Sequence, residues 1–124
     1  MADGPERPAA SADAPLPGRP VRGSASGRPI MALFDLLGRR WTLRVIWELA
    51  QSPAATFREL QQRCDGVSSS VLAQRLAELD QAVIVQRADR GYTLTPDGRT
   101  LCADLMRLET WADQWAARAA SATE

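Results

Sequence analysis

Histidine and lysine are both missing from this chain of 124 residues, and it has only two cysteines, Cys64 and Cys102. Without histidine, the usual general base and the commonest metal ligand are gone. No pair of carboxylates and no nucleophile motif replaces them, so enzymatic activity is not expected. The cysteines fall in separate expected helices, with neither a CxxC nor a zinc-ligand spacing, so buried structural thiols are the default and neither metal nor cofactor is implied. No apolar run approaches the ~18 residues that would suggest a membrane span, and the first residues lack the basic-then-apolar order of a signal peptide. A cytoplasmic protein without membrane contact is therefore expected. Charge of either sign is also not in excess. The 15 basic residues, all arginine, face 15 acidic ones, so any hold on nucleic acid must come from local charge. Genomic base composition suffices to explain the choice of arginine over lysine, although arginine is also the better bidentate ligand for phosphate and guanine.

What the chain does contain is enough apolar residue, 45%, for one modest core. Residues 1–28 are rich in Pro, Ala, Gly and Ser with almost no large apolar side chains, and they read as a disordered tail. At Pro29 the composition changes. Ile30, Leu33, Phe34 and Leu37 fall at i, i+3, i+4 and i+7, a short amphipathic helix ended by Gly38 whose apolar face needs a partner. The following segment, WTLRVIWELA, is apolar nearly all round except at Thr42, Arg44 and Glu48, as expected of a hub helix. Arg39 and Arg40 precede it at the end where the helix dipole disfavours cations. A nearby phosphate would relieve them, and two solvated arginines are the plainer alternative.

The organising stretch is TFRELQQRCDGVSSSVLAQRLAELDQA, residues 56–82. Thr56 and Glu59 have capping-box spacing, so a helix starts there, and Asp65 and Gly66 stop it. Ser68, Ser69 and Ser70 offer N-caps for a second helix, on which Val71, Leu72, Leu76 and Leu79 make one apolar stripe. The opposite face, Ser69, Ser70, Ala73, Gln74 and Ala77, is small and polar, and suits close approach to a groove. Taken alone, two capped helices make any αα-hairpin. A turn with glycine and a lean polar face on the second helix make a helix-turn-helix, whose second helix enters the DNA major groove. After it, residues 84–87 and 92–95 are strand-like around a turn at Asp89, Arg90 and Gly91, which gives a hairpin or wing. Thr95 and Pro96 open a last helix running to about Ala120. Along it Leu101, Leu105, Leu108, Ala112 and Trp115 alternate in steps of four and three, a heptad seam on a helix that would overhang so small a domain.

These elements specify a mainly α fold with a small β-hairpin, a winged helix-turn-helix with extra helices at both ends. The chain resembles the HxlR-type bacterial transcriptional regulators over residues 29–116. The matching pieces are Pro29-Ile30, LGRRWTLRVIWEL at 37–49, FRELQQR at 57–63, GVSSSVLAQRLAELD at 66–80, VQR at 85–87, YTLTPDGR at 92–99, and Trp111 with Trp115. The resemblance implies one domain over 29–120, including a dimerisation helix over 96–120. It also implies a homodimer joined through the first and last helices (Ile30, Leu33, Phe34, Leu101, Leu105, Leu108, Trp111 and Trp115), its recognition helices facing successive major grooves of a palindromic operator. The chain departs from the family pattern in three places. Arg28 stands where many members carry a cysteine before the proline, which excludes thiol sensing there. Val83 stands where the family usually has glycine, so that turn must change geometry or accept strain. The wing, residues 88–91, is short, which reduces minor-groove contact to Arg90.

The expected function is therefore sequence-specific binding of double-stranded DNA. Ser68, Ser69, Ser70 and Gln74 would face base edges, and Arg40, Arg58, Arg75, Arg87 and Arg90 would face phosphates unless they pair with Glu78, Asp80 or Asp89. Residues 56–91 hold five arginines and five acidic residues, so counterion release should be modest. A small-molecule effector is a variant of this reading, with Trp41, Trp47 and Trp111, joined by Trp115, lining an aromatic pocket between the hub and last helices. Core packing is the plainer role for these rings. The rival reading is a winged-helix protein-interaction module without DNA binding, favoured by the neutral charge and short wing.

Overall fold

The computed structural model describes residues 13–122, and its order is α1 (Pro29–Leu37), α2 (Thr42–Ala50), α3 (Phe57–Arg63), α4 (Ser69–Gln81), β1 (Val85–Ala88), β2 (Gly91–Leu94) and α5 (Pro96–Ala122). α2 is the hub. Its Val45, Ile46 and Leu49 are buried among Leu60 of α3, Leu72, Leu76 and Leu79 of α4, and Val85 and Leu94 of the hairpin. The strands pair antiparallel from Val85↔Leu94 to Ala88↔Gly91. Ala55 exchanges two backbone hydrogen bonds with Tyr92, extending the sheet by one bridge. That close approach requires Gly91, with φ of +102°: a Cβ there would collide with the Ala55 carbonyl.

The helix starts follow from local chemistry. Thr56 and Glu59 form a complete capping box, and Ser68 Oγ accepts from the Val71 N–H at 3.2 Å. Thr95 Oγ1 accepts from the Gly98 N–H at 2.9 Å and itself donates to the Val83 carbonyl at 2.6 Å, which locks the start of α5 to the turn after α4. Only Gly98 and Cys102 of α5 are buried. At about 1.5 Å per residue this 27-residue helix is about 40 Å long, and its second half projects beyond the core.

Three expectations need correction. Residues 13–28, assigned to a disordered tail on composition, are instead folded against α1 and the end of α4; residues 1–12 lie outside the described residues. Ala14 is buried and its N–H donates to Gln81 Oε1 at 3.1 Å, while the Arg22 N–H donates to Asp35 Oδ2 at 3.0 Å. Gly18 and Gly27, both at positive φ, close the loop through a 3.0 Å backbone bond, so the glycines taken as a sign of disorder here make turns. Second, Ala73 and Ala77, expected on the open face of α4, are buried. The open face is confined to the first turns of the helix. Third, α1 buries Ala32 and Leu36, while Ile30 and Phe34 on the expected stripe stand half exposed. Leu37, on the same stripe, packs against the core and Leu33 is partly covered, so only the Ile30 and Phe34 end of the stripe is left open.

Val83 accepts strain rather than changing the turn, with φ of +62°. For a β-branched residue the left-handed region costs about 1–2 kcal/mol. Its side chain is largely exposed, so little burial offsets this. Val83→Gly is expected to raise unfolding stability by about 1 kcal/mol, read as a higher urea midpoint at unchanged slope. An unchanged or lower midpoint would show that the turn is not strained.

Candidate nucleic-acid interface

α4 tilts along its length from open to buried. Ser68, Ser69 and Ser70 are exposed, Gln74 one turn later is half-buried, and Glu78 a further turn on is 1% exposed. The first turns therefore present hydroxyls and an amide, small polar groups that leave room for close approach. Ser69 Oγ accepts from Gln61 Nε2 at 2.9 Å, which fixes the end of α3 beside them.

Glu78 is the electrostatic centre. Its carboxylate accepts from Arg39 Nη1 at 2.7 Å, from Arg75 Nη1 at 2.9 and 3.0 Å, and from Gln74 Nε2 at 3.1 Å. Arg75 Nε also donates to the Arg40 carbonyl at 2.7 Å, so the α1–α2 loop is tied to α4 twice. A carboxylate this deeply buried must be matched by charge and hydrogen bonds, and the two guanidinium groups do so. Arg75 and Arg39 are thereby committed to an internal network and do not stand as free phosphate ligands. The sequence offered Glu78 as one of three partners for the arginines but gave no sign that it is buried.

Arg40 and Arg58 are exposed on the loop before α2 and on α3, with no ion pair among the described residues. Arg87, exposed on β1, lies 5.2 Å from the Tyr92 ring centre, which orients it by a cation–π contact. Arg90, at the tip of the short wing, is drawn back to α3, where it donates to Glu59 Oε2 at 2.9 Å. This pairing crosses 31 residues and was not expected from the sequence.

Of the expected interface residues, Ile30, Phe34, Leu108, Trp111 and Trp115 are half exposed, Leu33 and Leu105 are partly covered, and Leu101 packs on the protomer's own core. Trp111 and Trp115 stack on each other with ring centres 6.0 Å apart. Trp47 and Trp111 are open to solvent, so within one protomer they do not enclose a cavity with Trp41, which lines a shallow depression with Leu37, Leu43 and Arg44. Cys64 is fully buried, and desolvation pushes its thiol up. Cys102 is also buried.

This arrangement of helix-turn-helix, paired strands and long last helix coincides with a known pattern: the HxlR-like helix-turn-helix family matches residues 36–120. The chain belongs to this family. The HTH-type transcriptional regulator YodB of Bacillus subtilis is 37% identical over 89 residues, covering 66% of this chain and 79% of that protein. The crystal structure of quinone-bound YodB superposes with a TM-score of 0.65 at 38% identity over 68% of this chain and 96% of that one. A MarR-family transcriptional regulator from Enterococcus faecalis V583 gives a TM-score of 0.66 at 30% identity, over 73% of this chain and 88% of that one. As an HxlR-family protein the chain has the winged-helix fold and is a DNA-binding protein of transcription regulation. None of the described helices is long and apolar enough to cross a membrane.

The Glu59 site gives a pH test. The Thr56 backbone N–H, and after it the Arg90 guanidinium, hold this carboxyl below its ordinary value of 4.5. A lowered value means that the bonds contribute stability above pH 4.5 and lose it as pH falls through the depressed value. Glu59→Gln keeps the capping geometry but removes the charge. The variant is expected to show a shallower fall of urea midpoint between pH 6 and 3 than the parent, and parallel curves would rule out this contribution.

Proposed function

We propose that the protein is a homodimeric transcriptional regulator that reads a palindromic operator with the first turns of α4. The observation that carries this reading is the open, hydroxyl-rich start of α4, with Ser68, Ser69 and Ser70 exposed and Gln74 half-buried, on a domain where Arg40 and Arg58 are also exposed. Serine and glutamine suit base edges, and exposed arginines suit phosphates. Arg87 and Arg90 reach the backbone from the wing, Arg90 only by leaving Glu59. Dimerisation is supported by the exposed Ile30 and Phe34 on α1 and by Leu108, Trp111 and Trp115 on the projecting half of α5, since apolar groups at heptad spacing on an exposed helix are stable when paired. Residues 29–120 are proposed as the unit that binds DNA and dimerises.

YodB has been crystallised bound to quinone. A small-molecule response of this chain would have to be non-covalent at Arg28, and its two thiols are buried. The one observation on the side of the second reading, an interaction module, is the internal pairing of Arg39, Arg75 and Arg90, and Arg40, Arg58 and Arg87 remain exposed against it.

Light scattering at micromolar concentration is expected to show a dimer for the parent and a monomer for Leu108→Glu. A monomeric parent would refute the dimer. For DNA binding, duplexes enriched from a random library and scrambled controls are titrated at several salt concentrations. Arg58→Ala is expected to weaken both and to reduce the salt slope by about 0.9, because one phosphate contact is removed. Absence of salt-dependent binding by the parent would favour the interaction module.

A further inference from the structure

A side-chain amide is ambiguous in base reading, because it can turn either its oxygen or its nitrogen outward. Gln74 does not have this freedom. Its neighbour on the buried side is the Glu78 carboxylate, which is only an acceptor between two guanidinium groups, so the amide nitrogen must face it and does so at 3.1 Å. Glu78 in turn is fixed by its bonds to Arg39 and Arg75 and by burial. One amide hydrogen of Gln74 is thereby used, and Oε1 is turned away from the protein's own acceptor.

We propose that Glu78 is a positioning residue that pins the Gln74 amide with its oxygen towards the groove, so that Gln74 selects a base bearing an exocyclic amino group. In the major groove the amino donors are adenine N6 and cytosine N4, whereas guanine O6 and N7 and thymine O4 present acceptors that repel an outward carbonyl oxygen. Glu78 touches no base. It acts by deciding which end of the Gln74 amide is offered. This inference rests on the reading of α4 as the helix that enters the groove.

The test selects duplexes from a fully randomised library with the parent, Gln74→Ala and Glu78→Gln. Gln74→Ala identifies the base position that depends on this side chain. There, since every natural pair carries one amino donor in the major groove, the parent is expected to prefer the selected pair about tenfold over the same pair lacking that amino group, with purine in place of adenine or 2-pyrimidinone in place of cytosine. Glu78→Gln is nearly isosteric and frees the amide to turn over, so it is expected to lower that preference to about threefold or less while the other positions keep theirs. A merely structural role would instead weaken all positions together. In the free parent, a Gln74 side-chain amide proton is expected to be displaced downfield in the NMR spectrum relative to exposed Gln62, and to return in Glu78→Gln. Should that variant not fold, the parent spectrum and the base preference at the Gln74 position still decide.

No loss of parent binding when that amino group is removed, an unshifted Gln74 amide in the parent, or full discrimination by folded Glu78→Gln overturns the proposal. An enriched motif with no position sensitive to Gln74→Ala overturns it while leaving the regulator reading intact. No enriched motif at all removes both.

Discussion

The Glu78 carboxylate lies where water cannot solvate it, and the helix that carries it can stay in place only while Arg39 and Arg75 do. Removing a partner from such a buried pair costs about 3–5 kcal/mol, because the remaining charge is left uncompensated. Replacing the whole set with well-packed apolar residues would often be neutral, so the network adds little net stability. What it adds is geometry. Arg39 comes from the α1–α2 loop, Arg75 from α4 itself, and the Arg75–Arg40 carbonyl bond returns to the same loop. An apolar contact would tolerate a sliding or turning of α4 against that loop, whereas these directional bonds do not.

The same commitment shapes the electrostatics of the DNA face. The arginines that a count of charge along 56–91 would assign to phosphates divide into two sets. Arg75 and Arg90 are held by Glu78 and Glu59 and Arg63 donates to Ser52, while Arg58 and Arg87 are exposed, as is Arg40 on the loop before α2. In the proposed DNA complex this leaves few arginines for phosphates, so the sequence-independent part of binding would be small and discrimination would depend more heavily on base contacts. In such a protein the orientation of one amide matters more than it would in a strongly cationic one.

The parts of this fold legible in the sequence are those set by neighbours a few residues apart. Thr56 with Glu59, Ser68 before Val71, and Thr95 before Pro96 mark helix starts because a cap needs only its own first turn. Val83 could be flagged only through the family resemblance, which places glycine there, and its positive φ is the conformation that a glycine would take without strain. Contacts across the chain were not legible. Nothing local distinguishes Glu78 from Asp80 as the residue that turns inward, or links Arg90 to Glu59. Residues 13–28 lack the large side chains that usually announce order, yet Ala14 is buried because the end of α4 offers Gln81 and α1 offers Asp35 as acceptors. Composition can report what a segment could bury by itself, and it cannot report what other elements offer.

α1 stands between the two halves of the proposed mechanism. Its inner side holds the folded segment 13–28 through Asp35 and packs Leu36 into the core, and its C-terminal end leads directly into Arg39 and Arg40. Its outer side carries Ile30 and Phe34, open for a second protomer. In the proposed dimer a partner resting on that stripe would press on the same helix whose end anchors Glu78. The chain from Phe34 through Leu36 to Arg39, and from there to α4, is a continuous run of helix, packed side chain and charge pair. Because packed cores and directional ion pairs resist gradual deformation, a change in how two protomers meet would reach the recognition helix as a displacement of the helix as a whole. In that proposed dimer the spacing of the two reading helices, and therefore of two operator half-sites, would be set through α1 as much as through the long α5.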